Sequence, residues 1–184
     1  TRLLMVSWAR RCVYETGSDV NFCAQAFPTV GYDHPDAPIL TVLGAVLRNG
    51  FLHSAIREKG GAYGSGAQQD SASRSFRFFS YRDPNCMETF NAFNESIEWS
   101  LKSINSEKLE EGILGVISSI DKPGSPAGEA RADFNQNIRG IDQSKRKIFR
   151  SRVINCSVER LVEVSNKYLT CLLYTSDAAD EAIG

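Results

Sequence analysis

Histidine is nearly absent from this sequence, and its scarcity limits the chemistry that the chain can perform alone. The 184 residues include two histidines, His34 and His53, and neither belongs to an HxxEH or HExxH pattern. We therefore expect this chain to hold no metal ion of its own. The same scarcity leaves serine and cysteine without an assignable base for a nucleophilic triad.

Paired cysteines and long apolar runs are also missing. The five cysteines form no CxxC motif and no regular spacing, which argues against a disulfide framework and favours a reducing compartment. The sequence has no initiator methionine, no leader segment and no run of about 18 apolar residues that could span a bilayer. We therefore expect an internal piece of a soluble protein with no membrane partner.

Neither sign of charge dominates. The 21 basic and 22 acidic residues give a net charge of −1, so the chain offers no general field for nucleic acid or an anionic membrane. A basic run at 145–152 covers much of a helix circumference without an accompanying aromatic ladder, which is typical of a solvated helix face. We expect no nucleic-acid partner.

The chain does contain enough apolar sequence for one domain, with 42% hydrophobic and 10% aromatic residues. Alternating polarity predicts strands at 19–27, 63–69 and 74–81. Between the first two strands, a helix is predicted from about Pro35 to about Lys59. Its apolar stripe, at steps of three and four residues, is Leu40, Leu43, Leu47 and Phe51, widened by Ile39, Val46 and Ile56.

The second half of the chain has the apolar spacing of successive amphipathic helices. They are predicted at about 87–104, 106–120, 125–140, 143–154 and 158–170. One strand, a helix, two strands and then helices predict an α+β fold, in which a mostly antiparallel sheet carries helices packed on one face.

Both ends of the chain are set apart from this domain, which we expect to span 18–170. Residues 1–17 show no clean period and are interpreted as a lead-in segment of uncertain structure. The run CLLYTSDAADE begins at residue 171 and resembles the translation of a sequencing-library adapter. Residues 171–184 are therefore interpreted as a non-native tail.

The junction between the long helix and the second strand could carry chemistry. Arg57 and Tyr63 flank the Gly60-Gly61 pair, so a guanidinium and a phenol could point at one place. From the residues alone the pair is ambiguous, because an arginine in the last turn of a helix and a tyrosine at a strand start are both ordinary. A phosphate cradle is disfavoured, since phosphate loops run from strand through glycine to helix and here the order is reversed.

Several longer segments give this junction a context. They are VNFCA at 20–24, HPDA at 34–37, LRNGFLHSAIREKGGAYG at 47–64, FRFFSYRDP at 76–84 and DKPGSPAGEA at 121–130. Together they resemble the C-terminal part of the presequence-protease branch of the pitrilysin and insulinase metallopeptidases. The resemblance covers about residues 18–170.

The resemblance implies a long parent chain of four homologous α+β domains, arranged as two halves around a closed chamber. The N-terminal half would bind zinc through HxxEH and a distal glutamate, and the C-terminal half would add an arginine and a tyrosine that map onto Arg57 and Tyr63. This chain would bind no zinc, would be inactive alone, and would work on peptide substrates together with the N-terminal half. The expected compartment is the cytoplasm if the source is bacterial and an organelle matrix if it is eukaryotic.

The same resemblance suggests a role for each residue of the junction. Tyr63 would donate a hydrogen bond to the oxyanion of the transition state, and Arg57 would bind substrate carbonyls or a peptide carboxylate. Gly60, Gly61 and Gly64 would let the backbone approach the peptide closely. The alternative is a scaffold or partner subunit of the same superfamily without catalytic activity.

Overall fold

The computed structural model describes residues 10–15 and 20–170, which form an α+β fold. Its strands are β1 (Arg10–Glu15), β2 (Asn21–Pro28), β3 (Gly64–Asp70) and β4 (Ser75–Asp83). The central helix α1 spans Asp36–Lys59. Five further helices follow β4: α2 (Met87–Lys102), α3 (Ser106–Ile120), α4 (Pro126–Ile138), α5 (Gln143–Ile154) and α6 (Val158–Ser165), the last continuing as a π-helical turn over Asn166–Thr170. The predicted fold class is confirmed.

The four strands form an antiparallel sheet in the order β1-β2-β4-β3. Three of them are the predicted strands. The fourth, β1, was not predicted, since residues 1–17 were interpreted as a lead-in segment of uncertain structure; within that segment Arg10–Glu15 pairs along β2. Its sequence RRCVYE is short and charged at both ends, as is common for edge strands. It therefore lacks the alternating polarity from which a strand could be predicted. The proposed tail at 171–184 lies outside the described residues.

The sheet has one covered face and one open face. The buried side chains of β2 and β4 point toward the helices and include Cys23, Phe27, Phe76 and Phe78. On the opposite face, Phe22 is 44% exposed and Tyr81 is 39% exposed. This face therefore carries aromatic side chains that the described helices do not cover.

Helix α1 is the centre of the domain, in contact with β3, α2, α3, α5 and α6. Its α-helical part, Asp36–Leu47, is buried on nearly all sides, whereas Arg48–Lys59 is π-helical. A π-helix bonds residue i to i+5, and the buried positions shift accordingly from Leu47 to Leu52 and Ile56, while Phe51 is only half-buried. The predicted stripe is thus confirmed at Leu40, Leu43, Leu47 and Ile56, whereas Phe51 packs against the core but stays partly exposed.

Helix α1 also has the length and composition of a membrane-spanning helix, although no such segment was expected from the sequence. Half of its most apolar 18-residue window is buried inside the domain. A core helix of a soluble protein has the same properties, and the contacts with β3 and four helices account for the apolar residues here.

Close approach between α1 and its neighbours requires small residues. A Cβ on Gly112 of α3 would lie 2.5 Å from Val46 Cγ2, and a Cβ on Gly50 would lie 2.6 Å from Trp99 Cη2. Gly50, which costs helix stability, therefore makes room for the Trp99 ring.

Substitution of the two glycines of α3 should separate this packing effect from helix propensity. Gly112→Ala should destabilise the chain by about 2 kcal/mol, because its methyl group would overlap Val46. Gly115→Ala should stabilise it by up to about 1 kcal/mol, since nothing lies within 4 Å of the new Cβ. Urea unfolding of both variants tests this pair, and equal effects would contradict the close α1–α3 contact.

The first turn of α1 is tied to the last helix of the domain. The Asp36 carboxylate is 4% exposed and accepts hydrogen bonds from Arg160 Nη2 at 2.9 Å, Lys167 Nζ at 2.9 Å and Tyr168 Oη at 2.8 Å. The Asp36 N–H donates to His34 Nδ1 at 3.1 Å. Burial alone would raise the pKa of Asp36, but the hydrogen bonds from Lys167 and Tyr168 outweigh it and the pKa is lowered.

Asp36→Asn should therefore destabilise the chain by about 2 kcal/mol at pH 7, since it removes charge-assisted hydrogen bonds. Because the pKa of Asp36 is lowered in the folded state, its carboxylate stabilises the fold at pH values above the ordinary carboxyl pKa of about 4. This contribution is lost as the pH falls through the folded-state pKa. The stability difference from wild type should hence shrink below about pH 4. The measurement is urea unfolding as a function of pH, with Asp33→Asn, at an exposed carboxylate, as the control. A stability difference between Asp36→Asn and wild type that does not change with pH would contradict this account of Asp36.

Candidate active-site surface

The chain reverses direction between α1 and β3 over residues 60–62. The N–H groups of Gly60, Gly61 and Ala62 donate to the carbonyls of Ala55, Arg57 and Ile56, at 3.1, 3.2 and 3.1 Å. Gly61 has φ of +78°, a conformation that glycine adopts without strain. This turn leads directly from the helix end that carries Arg57 to Tyr63.

A second segment, formed by Asp83 at the end of β4 and by the connection 84–86 to α2, holds the turn from outside. Asn85 Nδ2 donates to the Gly60 carbonyl at 2.6 Å. Asn85 is itself oriented by the buried Asp83 carboxylate, which accepts from the Asn85 N–H at 2.9 Å and from Thr89 Oγ1 at 2.7 Å. The turn is therefore fixed by hydrogen bonds within α1 and by a side chain from another part of the chain.

Arg57 lies on the exposed side of the last turns of α1. Its Nη1 is 3.4 Å from His53 Nε2, and His53 Nδ1 is 3.5 Å from Glu58 Oε1. The guanidinium makes no ion pair with any described residue, so it is available to an external acceptor.

Tyr63 is 64% exposed. Its N–H donates to the Arg82 carbonyl at 3.3 Å, its ring centroid is 5.6 Å from that of Tyr81, and Arg82 Cζ lies 5.6 Å from the Tyr63 ring centroid. Within the described part of the chain the Tyr63 hydroxyl makes no hydrogen bond. The backbone of Tyr63 is thus anchored while its phenol faces outward.

The fold itself requires glycine at the three positions that are predicted to contact substrate. A Cβ on Gly60 would lie 2.6 Å from the Ile56 carbonyl oxygen, and a Cβ on Gly64 would lie 2.4 Å from the Tyr81 ring. Gly61 has the positive φ given above. Their packing needs no ligand, and substrate contact by them remains a prediction.

The turn joins the helix end that carries Arg57 to Tyr63, and whether the two side chains point at one place remains a prediction. Sequence reasoning missed Asn85, Tyr81 and Arg82, which hold that turn or pack on Tyr63. Tyr81 and Arg82 lie near the end of β4 and Asn85 follows it, and these positions in the sequence do not reveal which residues they would contact.

The described residues include no cluster of three or more His, Cys, Asp or Glu side chains that could hold a metal ion. A groove of about 680 Å³ is found at the far end of β3, lined by Asp70, Arg74 and Arg139 among others. It lies away from Tyr63, which precedes the first residue of β3. Arg57 and Tyr63 are both exposed and do not line this groove.

Comparison with solved structures identifies the class of domain. Pitrilysin superposes with a TM-score of 0.62 at 16% identity, covering 88% of this chain and 19% of pitrilysin. A peptidase M16 inactive domain from Pseudomonas fluorescens superposes with a TM-score of 0.61 at 19% identity, covering 80% of this chain and 37% of that chain. At these identities the likeness establishes the fold, which is that of M16 peptidase domains.

Sequence comparison gives the particular family. The profile of the PreP C-terminal domain matches residues 19–173. The mitochondrial presequence protease of Danio rerio is 35% identical over 152 residues, covering 82% of this chain and 14% of that protein. The chain belongs to the PreP C-terminal domain family, which confirms the resemblance. It spans about one seventh of the length of this relative.

Asn85→Ala should loosen the turn at 60–62, because the Gly60 carbonyl loses its side-chain partner. A loss of about 1 kcal/mol in local stability should speed amide hydrogen exchange at Gly61 and Tyr63 roughly fivefold. Asn137→Ala is the matched control, since the Asn137 side chain bonds only to Asp133 on the exposed helix α4. Unchanged exchange in Asn85→Ala would show that Asn85 does not hold the turn.

Proposed function

We propose that this chain is the domain that completes the active site of a zinc-dependent metalloendopeptidase that degrades peptides. The observation that carries the proposal is the Tyr63 phenol, which is exposed, has no hydrogen-bond partner among the described residues, and directly follows the hydrogen-bonded turn after the helix end that carries Arg57. A tyrosine with only a structural role has no need of this arrangement. Membership of the PreP C-terminal domain family supports the assignment.

The zinc ion would be bound by the N-terminal half of the parent protein, since the described residues here offer no ligand cluster. Bound there, it would activate a water molecule for attack on the scissile carbonyl. The Tyr63 hydroxyl would donate a hydrogen bond to the developing oxyanion, and this interaction would strengthen in the transition state. Arg57 would bind a backbone carbonyl or carboxylate of the peptide, because its charge is permanent and its donors diverge in a fork.

This chain alone is proposed to be inactive, because it would supply donors without the metal or the general base. Its partners would be the N-terminal half and peptide substrates. A relative such as the Danio rerio protein is named as mitochondrial, so a eukaryotic source would place the parent in an organelle matrix. A bacterial source would place it in the cytoplasm.

A second candidate function is a scaffold without catalytic activity. The observation in its favour is that one of the structural neighbours is described as an inactive M16 domain. Retention of both Arg57 and Tyr63 favours the catalytic role, since a scaffold has no chemical need for the pair. An HxxEH motif upstream in the parent gene would distinguish the two functions.

Reconstitution tests the proposal directly. This chain is mixed with the separately expressed N-terminal half of its parent and zinc, and cleavage of a fluorogenic peptide is followed. Tyr63→Phe should lower kcat by about a hundredfold, because one oxyanion donor is removed. Arg57→Ala should reduce kcat/KM as well, because a charged peptide contact is lost.

Matched substitutions serve as controls: Tyr32→Phe, at a ring stacked on Phe149, and Arg48→Ala, at an exposed arginine of the same helix. Both should leave cleavage unchanged. Cleavage by this chain alone, or a reconstituted enzyme indifferent to Tyr63→Phe and Arg57→Ala, would overturn the proposal and favour the scaffold.

A further inference from the structure

The end of β4 contains an irregularity next to Tyr63. In the pairing of β2 with β4, Phe22 is opposite Tyr81 and Asn21 is opposite Asp83, so the register shifts between these two pairs. Arg82 is the residue left over, as in a β-bulge, in which one strand contributes an extra residue. Bulges redirect a side chain, and they are common beside active sites.

The backbone of Arg82 confirms that this position is unusual. Its φ is +49°, and the only other described residue besides glycine with a positive φ is Arg74. A left-handed conformation is uncommon for a residue with a side chain. When such a conformation persists in a fold, it can serve a functional site.

The irregularity brings two groups of Arg82 to Tyr63. The Arg82 carbonyl accepts the Tyr63 N–H at 3.3 Å, which extends the β3–β4 pairing beyond its last pair, Gly64 with Tyr81. The Arg82 guanidinium lies over the Tyr63 ring, with Cζ 5.6 Å from the centroid. This distance is within the range of a cation–π contact.

No carboxylate competes for this guanidinium. Arg82 forms no ion pair with the described residues, in contrast to Arg77 on the same strand, which is 2.9 Å from Asp70. The Tyr63 ring is also flanked by the Tyr81 ring, at 5.6 Å between centroids. Tyr81 is in turn seated over Gly64, where a Cβ would lie 2.4 Å from its ring.

We infer that Arg82 is a positioning residue for Tyr63, in which the bulge directs the guanidinium onto the Tyr63 ring and holds the phenol in the orientation needed to donate to the oxyanion. This inference rests on the proposed function of Tyr63. Arg82 itself would touch neither the peptide nor the zinc. Because the Tyr63 hydroxyl would donate to an oxyanion that exists only in the transition state, the effect of Arg82 is expected on kcat and not on substrate binding.

A double-mutant cycle in the full-length parent protein, loaded with zinc, tests this role. Arg82→Gln, which keeps the length of the side chain without its charge, should lower kcat about three- to fivefold with KM unchanged. Arg82→Lys should restore most of the loss. In the Tyr63→Phe background, Arg82→Gln should have no further effect, because the hydroxyl through which it acts is gone.

Two further variants distinguish the loss of the Arg82 guanidinium from a loss of folded structure. Arg82→Gly accepts the positive φ without strain and removes the guanidinium, so it should fold at least as stably as wild type and still lose kcat. Arg74→Gln is the matched control, since Arg74 shares the left-handed backbone, with φ of +52°, and lies at the opposite end of β4. It should leave kcat and KM unchanged.

The outcomes separate this inference from the proposed function. If Tyr63→Phe lowers kcat but Arg82→Gln and Arg82→Gly do not, the positioning role is wrong while the role of Tyr63 stands. If the losses from Tyr63→Phe and Arg82→Gln simply multiply in the double variant, Arg82 acts independently of Tyr63 and the inference is wrong. If Tyr63→Phe itself is without effect, both proposals fail.

Discussion

The reversal of the chain at residues 60–62 is the constraint on which the candidate site depends. Three backbone hydrogen bonds close the end of α1, and Asn85 holds the Gly60 carbonyl from the β4–α2 connection. Because these bonds come from two separate parts of the sequence, the turn cannot shift without breaking bonds to both of them. Arg57 and Tyr63 are consequently presented from a rigid support, which suits groups that must meet a transition state.

The support itself is set by the central helix. Its first half is buried against β3 and neighbouring helices, and its N-terminal turn is tied to the end of the domain through Asp36. Its second half changes to π-helical bonding before the turn. Single π-turns often occur at functional sites, and here the longer π-helical segment carries both His53 and Arg57.

The sequence predicted those parts of the fold that have a simple period. Phe76 and Phe78 alternate along β4 and are buried as expected, and Leu40, Leu43 and Leu47 follow the helical stripe. The prediction did not include the change to i+5 bonding over Arg48–Lys59, which leaves no mark in a pattern of three and four and leaves Phe51 only half-buried. The prediction also lacked the edge strand β1, because its charged ends do not follow the alternating pattern of a strand.

The candidate site was predictable only in part, for a similar reason. Arg57 and Tyr63 could be chosen because the family resemblance gives their residue types a chemical role. Arg82 could not, since its bulge exists only in the pairing of β2 with β4, and that register joins residues about 60 positions apart. Long-range register is decided by the whole sheet and not by the local sequence.

A structure of the full-length parent protein with zinc and a bound peptide would test the central claim most directly. We predict that the Tyr63 hydroxyl lies about 3 Å from the scissile carbonyl oxygen, and that the Arg57 guanidinium contacts the same peptide. A structure in which the turn at 60–62 faces away from the peptide, with both side chains in solvent, would contradict a catalytic role for this domain.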